Sequence, residues 1–565
     1  MRVVILDGYF DEPAGLGVPP YIDVYPRYVA GAIWSVEKTA DMMYFTVDSV
    51  RKQFEKFIEI ANNSDLVIFL AGALVPGKYL GGEPIKPEEI KLWSALLEKP
   101  LKVLGGPVAR FGMGTEGGKL AIPPQELGEN FDLVVSGDVE LAVYELLKER
   151  LSIESVDPEI VREDYKLIKE FAVRGARIVV QHPNYKLNLI VEIETYRGCP
   201  RYIIGGCSFC IEPLYGKVIF RPIEDILSEV KALYSYGVRN FRIGRQSDLY
   251  AYMAKDTGKL EFPKPNPEAI EKLFKGFREV APNLDVLHID NVNPGTVYHH
   301  PEESKLITKI IIKYHTPGDV AAFGVESADP KVVKLNNLKV MPDEAFEAVK
   351  IINEVGSVRG WNGMPELLPG INFVHGLIGE TKETYVLNYQ FMRKILDSGL
   401  MVRRINIRQV LSIPGTRMWK IGDKIIAKHK KIFQIYKEKI RKEIDIPMLR
   451  RVVPKGTILK RVFTEMYDGG KTLARQIGTY PLLVQIPTKI ELYKFINVVV
   501  VSHSYRSVTG VPVPLNINTA PQKVLKLLPG MNRKILNKIL LNRPIKSIES
   551  LKSLVGNELA KYLII

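Results

Sequence analysis

Every cysteine in this chain of 565 residues falls within one stretch of twelve: Cys199, Cys207 and Cys210, in YRGCPRYIIGGCSFC. An odd, tightly clustered set is no disulfide framework. Thiolates gathered in one loop and nowhere else make a single metal centre. Two centres fit the spacing. Zinc would take the three thiolates and a histidine such as His182. A four-iron cluster would take the same thiolates and leave one iron free to chelate a further ligand.

The surroundings of the loop constrain the fold. It follows a strand-like segment, LNLIVEIETY, and precedes a helix-like one, RPIEDILSEVKALYSYG. Five more strand-like segments come after it, VRNFRIG, DVLHIDNV, DVAAFGVES, INFVHGLIG and RINIRQVLSI, most of them separated by helical periodicity. That alternation predicts a β/α barrel or partial barrel, with its chemistry at the C-terminal ends of the strands, where the cysteine loop lies.

Strand side chains alternate between faces. Glu192 and Glu194 share a face, as do His288 and Asp290, and Arg404, Asn406 and Arg408; His375 turns the same way as Phe373. Helix-facing positions should be apolar, so these polar faces are expected to line the lumen. A tightly packed lumen would bury them at large cost, whereas a ligand-filled one would not. Internal ion pairs, such as Glu194 with Arg404, are the plainer reading. His299 and His300, in a loop before a proline, read as solvated.

Several segments together resemble the radical SAM superfamily. Its usual loop is C-x3-C-x2-C; here the spacing is C-x7-C-x2-C, with four extra residues within PRYIIGG, and Phe209 keeps the aromatic position between the last two cysteines. GVESADPKVVK, HGLIGET and RQVLSIPGT are similar to the superfamily's segments at the fourth, fifth and sixth strands. The resemblance implies a [4Fe-4S] cluster on Cys199, Cys207 and Cys210 with S-adenosyl-L-methionine as cofactor, and it favours this centre over zinc. Glu326, with Ser327 beside it, would meet the ribose; His375, Gly376 and Ile378 would lie near the adenine. Gly244, Arg245 and Gln246 stand where the superfamily has its GGE segment, which holds the methionine amino group.

The charge is unevenly spread. From Met401 to Ile565 there are 32 Lys and Arg against 9 Asp and Glu, a balance of +23, while the first 400 residues carry −9. Such a division suits a polyanion met by the last third, nucleic acid before a membrane, since no basic helix with a clear apolar face accompanies it. The longest apolar stretch, DLVIFLAGALVPG, is too short to span a bilayer, and the N-terminus reads as a strand and turn rather than a signal peptide, so a cytoplasmic protein is expected.

Length points to three or four domains, and the alternation of strand-like and helix-like segments to an α/β protein. Residues 1–165, with the strands RVVILDG, DLVIFLAG, LKVLGGPV and DLVVSGD, predict a doubly wound α/β domain resembling the cobalamin-binding-like domain of this superfamily, without the D-x-H-x-x-G segment that offers a ligand to cobalt. The segment GYFDEPAGLGVPPYIDVYPRY reads as a long loop or a lid. Residues 183–420 form the partial barrel and 421–445 a basic helix or connector. Residues 446–515 read as five short strands, a small barrel similar to OB folds and to the TRAM module. Residues 516–565 resemble a helix-hairpin-helix unit, with Asn518 or Thr519 as an N-cap, a turn at LPGMN and further helices starting near Asn532 and Ser547. Gly530, Asn532, Arg533, Lys534 and Arg543 would hold a nucleic-acid backbone there.

The layout as a whole resembles the archaeal radical SAM subunits of archaeosine synthases. This implies tRNA as substrate, a partner transferase that attaches lysine to preQ0 in the D-loop, an electron donor, and radical cleavage of the lysine C–N bond to give archaeosine. Asp290, Glu192 or Glu194 would hold the lysine ammonium and Arg404 or Arg408 its carboxylate, with His288 nearby. Other readings are a methylthiotransferase-like enzyme or methylase of RNA, a radical enzyme acting on a protein or small molecule, and an RNA-binding protein with a relic barrel. Methylthio transfer needs a second cluster, and no cysteine precedes Cys199.

Overall fold

A computed structural model of the chain describes residues 1–10, 20–73, 80, 82–115 and 118–565. Of the segment read as a loop or lid, residues 11–19 lie outside the described residues. Runs such as VVIL and LVIFL, apolar on both faces, need a layer on each side. They form the middle of a parallel sheet in the order Asp41–Thr46, Arg2–Asp7, Leu66–Leu70, Leu101–Gly105 and Leu133–Val134. Counted along the chain this is 2-1-3-4-5, a doubly wound arrangement. The edge strand Asp41–Thr46 was not among the four expected: DMMYFT alternates buried and half-buried residues, and its methionines carry little strand preference.

Helix Val24–Val36 crosses helix Lys166–Gly175 at near contact of the backbones. A Cβ on Gly31 would stand 1.8 Å from the Phe171 carbonyl oxygen, and one on Gly175 1.8 Å from that of Arg27, so neither position accepts a side chain. The helix carries Arg27, fully buried, into an ion pair with Glu229 of helix Ile223–Ser235, and Glu229 also pairs with Arg221.

The predicted six-stranded partial barrel is present as two parallel sheets. One runs Tyr21–Ile22, Ile190–Ile193, Asn240–Ile243 and Val286–Ile289; the other Asn291–Val292, Asp319–Glu326, Leu367–His375 and Arg404–Gln409. The third barrel strand breaks at Asp290, whose carbonyl accepts the Ala322 N–H at 2.9 Å and so carries the wall across the break. Tyr21–Ile22, from the N-terminal part of the chain, extends the sheet beyond the first barrel strand, a pairing the sequence did not suggest.

After the sixth strand the basic connector is the helix Lys424–Ile440, which continues through a π turn at Arg441–Asp445 into helix Ile446–Val452. Five strands follow, Ile458–Asp468, Lys471–Gln476, Leu483–Ile486, Phe495–His503 and Ser507–Val513, and close into a barrel with the third and fifth parallel. In the C-terminal unit Asn532 and Ser547 cap helices Arg533–Leu541 and Ile548–Val555 as expected. The first helix is only Gln522–Leu525, capped from Pro521. Asn518 is no cap: its amide side chain clasps the Ile545 backbone, accepting N–H at 2.7 Å and donating to C=O at 2.9 Å. Among the described residues no helix is long and apolar enough to cross a membrane.

Candidate active site

The four extra residues of the cysteine loop have a clear local role. Pro200–Ile204 make a 3-10 turn, and Gly205 and Gly206, both at positive φ, reverse the chain to deliver Cys207. The turn points Arg201 inward with 1% of its surface exposed. Its guanidinium donates to the Cys207 sulfur at 3.1 Å, to Glu261 at 2.9 Å and to the carbonyls of Asn337 and Leu338 at 2.9 and 3.2 Å. Asn337 answers with its side-chain amide on the Ile204 and Gly206 carbonyls. Asn336 stitches the loop to the end of the fifth strand: its Oδ1 accepts from the Ser208 hydroxyl at 2.7 Å and the Ile378 N–H at 3.1 Å.

The three cysteines open into one cavity of about 690 Å³, counting the part open to solvent, together with Phe209, Glu212, Asp248, Asn291, Glu326, Lys339 and Asn372. Glu326 reaches it because the fourth strand bulges after Gly324 and Glu326 adopts a left-handed φ of 63°. Its carboxylate lies 3.5 Å from the Lys339 ammonium. Burial pushes the Glu326 carboxyl above its ordinary value, against the pull of Lys339 and Arg408. Burial pulls Lys339 down, but Glu326 and the Cys207 and Cys210 sulfurs hold it above its ordinary value. Burial also pushes the Cys199 thiol up to about 11 and raises Cys210.

This donor set fits an iron–sulfur cluster better than a single ion. Among the described residues no three His, Cys, Asp or Glu side chains converge on one point as ligands of one ion. His182, the fourth ligand of the zinc reading, packs beside the Tyr44 ring of the N-terminal sheet and accepts the Asn184 N–H at 3.0 Å; it is absent from the cavity wall. Three thiols around a shared space, with three carboxylates, an ammonium and three amides on the same wall, suit a cluster with an open iron and a polar cofactor beside it.

The remaining cofactor candidates surround this space rather than line it. Gly244 lies against Glu192: a Cβ there would come 2.5 Å from a Glu192 oxygen. Arg245 donates to the Tyr25 hydroxyl at 2.8 Å and Gln246 to the Ile243 carbonyl at 2.9 Å. The Ser327 hydroxyl accepts the Asp329 N–H. His375 Nδ1 lies 3.0 Å from Glu380, its ring stacks on Tyr385 at 4.4 Å, and Glu380 also takes the Gly376 N–H at 2.8 Å and contacts His429 at 3.1 Å. His375 and Gly376 thus shape the turn after the fifth strand.

The polar lumen is real, but a residue of the C-terminal barrel occupies it. Tyr480 inserts between the third and sixth strands: its hydroxyl donates to Asp290 at 2.7 Å and the Arg404 guanidinium stands 4.2 Å over its ring. Thr479 fastens the same loop, its N–H on His288 Nδ1 at 3.0 Å and its hydroxyl on the Ile289 carbonyl. His288 is therefore a clamp for this loop. Burial pushes the Asp290 carboxyl up to about 7, with Arg242 and Tyr480 opposing. Glu192 pairs with Arg242. Glu194 pairs not with Arg404 but with Arg162 at 2.7 Å, contributed by the segment before the barrel. Arg404 donates to Asn406 at 2.9 Å, and Asn406 to the cavity-lining Asn372 at 2.8 Å. Arg408 acts on Glu326 electrostatically. Arg201, Lys339 and Tyr480 were missed; only Arg201 carried a local signal, its place in the lengthened cysteine loop.

Comparison with known proteins agrees with this geometry. The family model described as "Radical SAM superfamily" matches residues 193–392. Residues 193–392 are a radical SAM domain. The chain belongs to one family with an uncharacterized protein of Methanocaldococcus jannaschii, 48% identical over 90% of this chain and 93% of that one, and with an uncharacterized protein of Archaeoglobus fulgidus, 42% identical over 100% of this chain and 99% of that one. The radical SAM part is also similar to the tRNA-2-methylthio-N(6)-dimethylallyladenosine synthase of Buchnera aphidicola, 28% identical over 44% of this chain and 51% of that protein. Cys199, Cys207 and Cys210 lie inside this radical SAM domain.

Proposed function

We propose that this radical SAM enzyme modifies tRNA, and that its reaction is cleavage of the C–N bond of a lysine–preQ0 adduct in the D-loop to give archaeosine. The observation that carries the RNA part is the charge: most of the +23 balance after residue 400 lies on the connector helix, the closed barrel and the terminal helices, and the closed barrel is fastened to the third strand of the radical SAM barrel by Tyr480. The tRNA substrate named for the Buchnera relative supports the same substrate class.

Cys199, Cys207 and Cys210 would hold a [4Fe-4S] cluster with S-adenosyl-L-methionine beside it, and together these would supply radical chemistry able to take hydrogen from an unactivated carbon. The chain's own residues do the rest. Arg201 fixes Cys207, and Glu326 and Lys339 present one charge of each sign for a zwitterionic cofactor. With Asp290 engaged by Tyr480, Glu212 in the cavity wall is the carboxylate best placed for a substrate ammonium. At Arg533 and Lys534 the terminal helices would grip backbone phosphates. The partners this reading needs are a lysine-attaching transferase and an electron donor.

The test is to incubate the anaerobically reconstituted, reduced protein with S-adenosyl-L-methionine and tRNA carrying the lysine–preQ0 adduct, with nucleosides read by mass spectrometry. Archaeosine formed in step with 5′-deoxyadenosine, and absent with Cys207→Ala, is expected. 5′-Deoxyadenosine with an intact adduct would remove the named substrate; a methylated or methylthiolated nucleoside would replace the reaction.

A further inference from the structure

At the start of the sixth barrel strand, an edge strand of its sheet, five cationic side chains from three separate parts of the chain are brought together. Arg403 precedes and Arg404 begins the sixth barrel strand, Lys437 lies in the last turn of the connector helix and Arg441 opens the π turn after it, and Arg506 comes from the loop between the fourth and fifth strands of the closed barrel. Two of the guanidiniums share one neutral acceptor: Arg404 Nε and Arg506 donate to the same Asn406 oxygen, at 2.9 and 3.5 Å. Arg441 donates to the Ile405 carbonyl, one residue beyond Arg404 and two beyond Arg403. Against these stand Asp445, ion-paired with Arg441, and Asp290, which reaches Arg404 from the lumen with Tyr480 between them. Arg403 donates to the Tyr480 carbonyl at 2.8 Å, but its Nε is buried and makes no hydrogen bond.

Like charges gathered this closely repel, and a chain that needed only to join two domains could use neutral side chains. Crowding is visible in the groups themselves: burial, Arg404, Arg441 and Arg403 pull Arg506 down to about 9, and burial with Arg441 and Arg506 lowers Lys437. Arginines offer paired N–H groups in the geometry of a phosphate edge. Although its guanidinium is packed among the others, part of the Arg506 side chain stays open to solvent, so an anion can reach the group from outside.

We infer that Arg403, Arg404, Lys437, Arg441 and Arg506 form an anion site for a phosphate group, a phosphodiester of the nucleic-acid substrate. The identity of the source rests on the tRNA reading above; the site itself does not. The site lies two hydrogen bonds from the reaction cavity, through Asn406 and the cavity-lining Asn372. A backbone phosphate held there would set the nucleotide beside it along the sixth strand.

The experiment compares the full-length protein with its Arg506→Ala and Lys437→Ala variants. Thermal unfolding is followed against inorganic phosphate at constant ionic strength, and tRNA affinity against salt. The wild type is expected to gain midpoint temperature with phosphate and both variants to lose most of that gain. Arg506→Ala should weaken tRNA binding about tenfold and lower the salt slope by about one, as for one lost phosphate contact. A variant that loses the phosphate response but binds tRNA unchanged keeps the anion site and assigns it to a small phosphate ester instead. Wild-type and variant curves that coincide in both measurements overturn the proposal. A wild type that responds to phosphate but binds no tRNA overturns the functional reading and leaves the site standing.

Discussion

The hydroxyl of Tyr480 donates to the carboxylate of Asp290 at 2.7 Å, across 190 residues of sequence and between two barrels. The bond ties the C-terminal barrel to the strand that leads to the reaction cavity. Tyr480 packs on Val320 and Ala322, and Ala322 also lines the cavity shared by the cysteines, so a shift of the 477–482 loop would be felt at the cavity wall.

Asp290 gives this contact a pH signature. Its carboxyl, pushed by burial to about 7 from an ordinary 3.8, binds its proton more tightly folded than unfolded. A group of this kind favours the folded state at low pH, and that contribution is lost as pH rises from about 4 to 7. The Asp290→Asn variant should therefore gain stability relative to wild type across this window and hold a constant offset above it. Unfolding midpoints in denaturant from pH 4 to 9 test it; a pH-independent offset would refute the assignment.

The Arg27, Glu229 and Arg221 group is fully buried between the N-terminal helix and the barrel. In Glu229→Gln two guanidiniums face each other without a carboxylate. A loss of about 3–5 kcal/mol is expected, the usual consequence of removing one partner from a buried ion pair. Denaturant unfolding measures it, and a loss below about 1 kcal/mol would mean that water reaches the site.

Arg201 donates a charge-assisted hydrogen bond to the Cys207 sulfur. Such donors stabilise the more negative, reduced state of a sulfur-ligated centre. In the reconstituted protein Arg201→Met should lower the midpoint potential of the cluster and Arg201→Lys should restore part of it, as read by redox titration with electron paramagnetic resonance. An unchanged potential at full iron content would show that Arg201 serves only the fold of the loop.

Glu326→Gln keeps the shape of the cavity wall but leaves Lys339 without its carboxylate partner. Affinity for S-adenosyl-L-methionine should fall about tenfold or more, the scale of one charged hydrogen bond, with iron content unchanged. Equilibrium dialysis with labelled cofactor decides it, and wild-type affinity would remove Glu326 from the cofactor site.

The six barrel strands, four of the five N-terminal strands and the closed barrel were legible in the sequence because each rests on local alternation or on a short buried run. Cys199, Cys207 and Cys210 stood out by their clustering and Glu326 by the family resemblance of its segment, and the structure brings all four to one cavity. The partners of the lumen residues were not. Glu194 could be placed on an inward face, but its choice of Arg162 over Arg404 depends on how the segment before the barrel folds back. Tyr480 sits in a loop of another domain, and the two-residue strand Tyr21–Ile22 is too short to show a period.

That short strand has a consequence for anyone who would cut the molecule at its apparent joints. Tyr21 and Ile22 hydrogen-bond along the outer side of Ile190–Ile193, so a fragment beginning at residue 183 would present its first barrel strand with a bare row of amides and carbonyls. Ile22, Val191 and Ile193, all without solvent contact in the whole chain, lie along that row. Such a fragment would be a sticky β-edge inviting other copies to complete it, and the isolated catalytic barrel should be recovered as aggregate rather than as a working part.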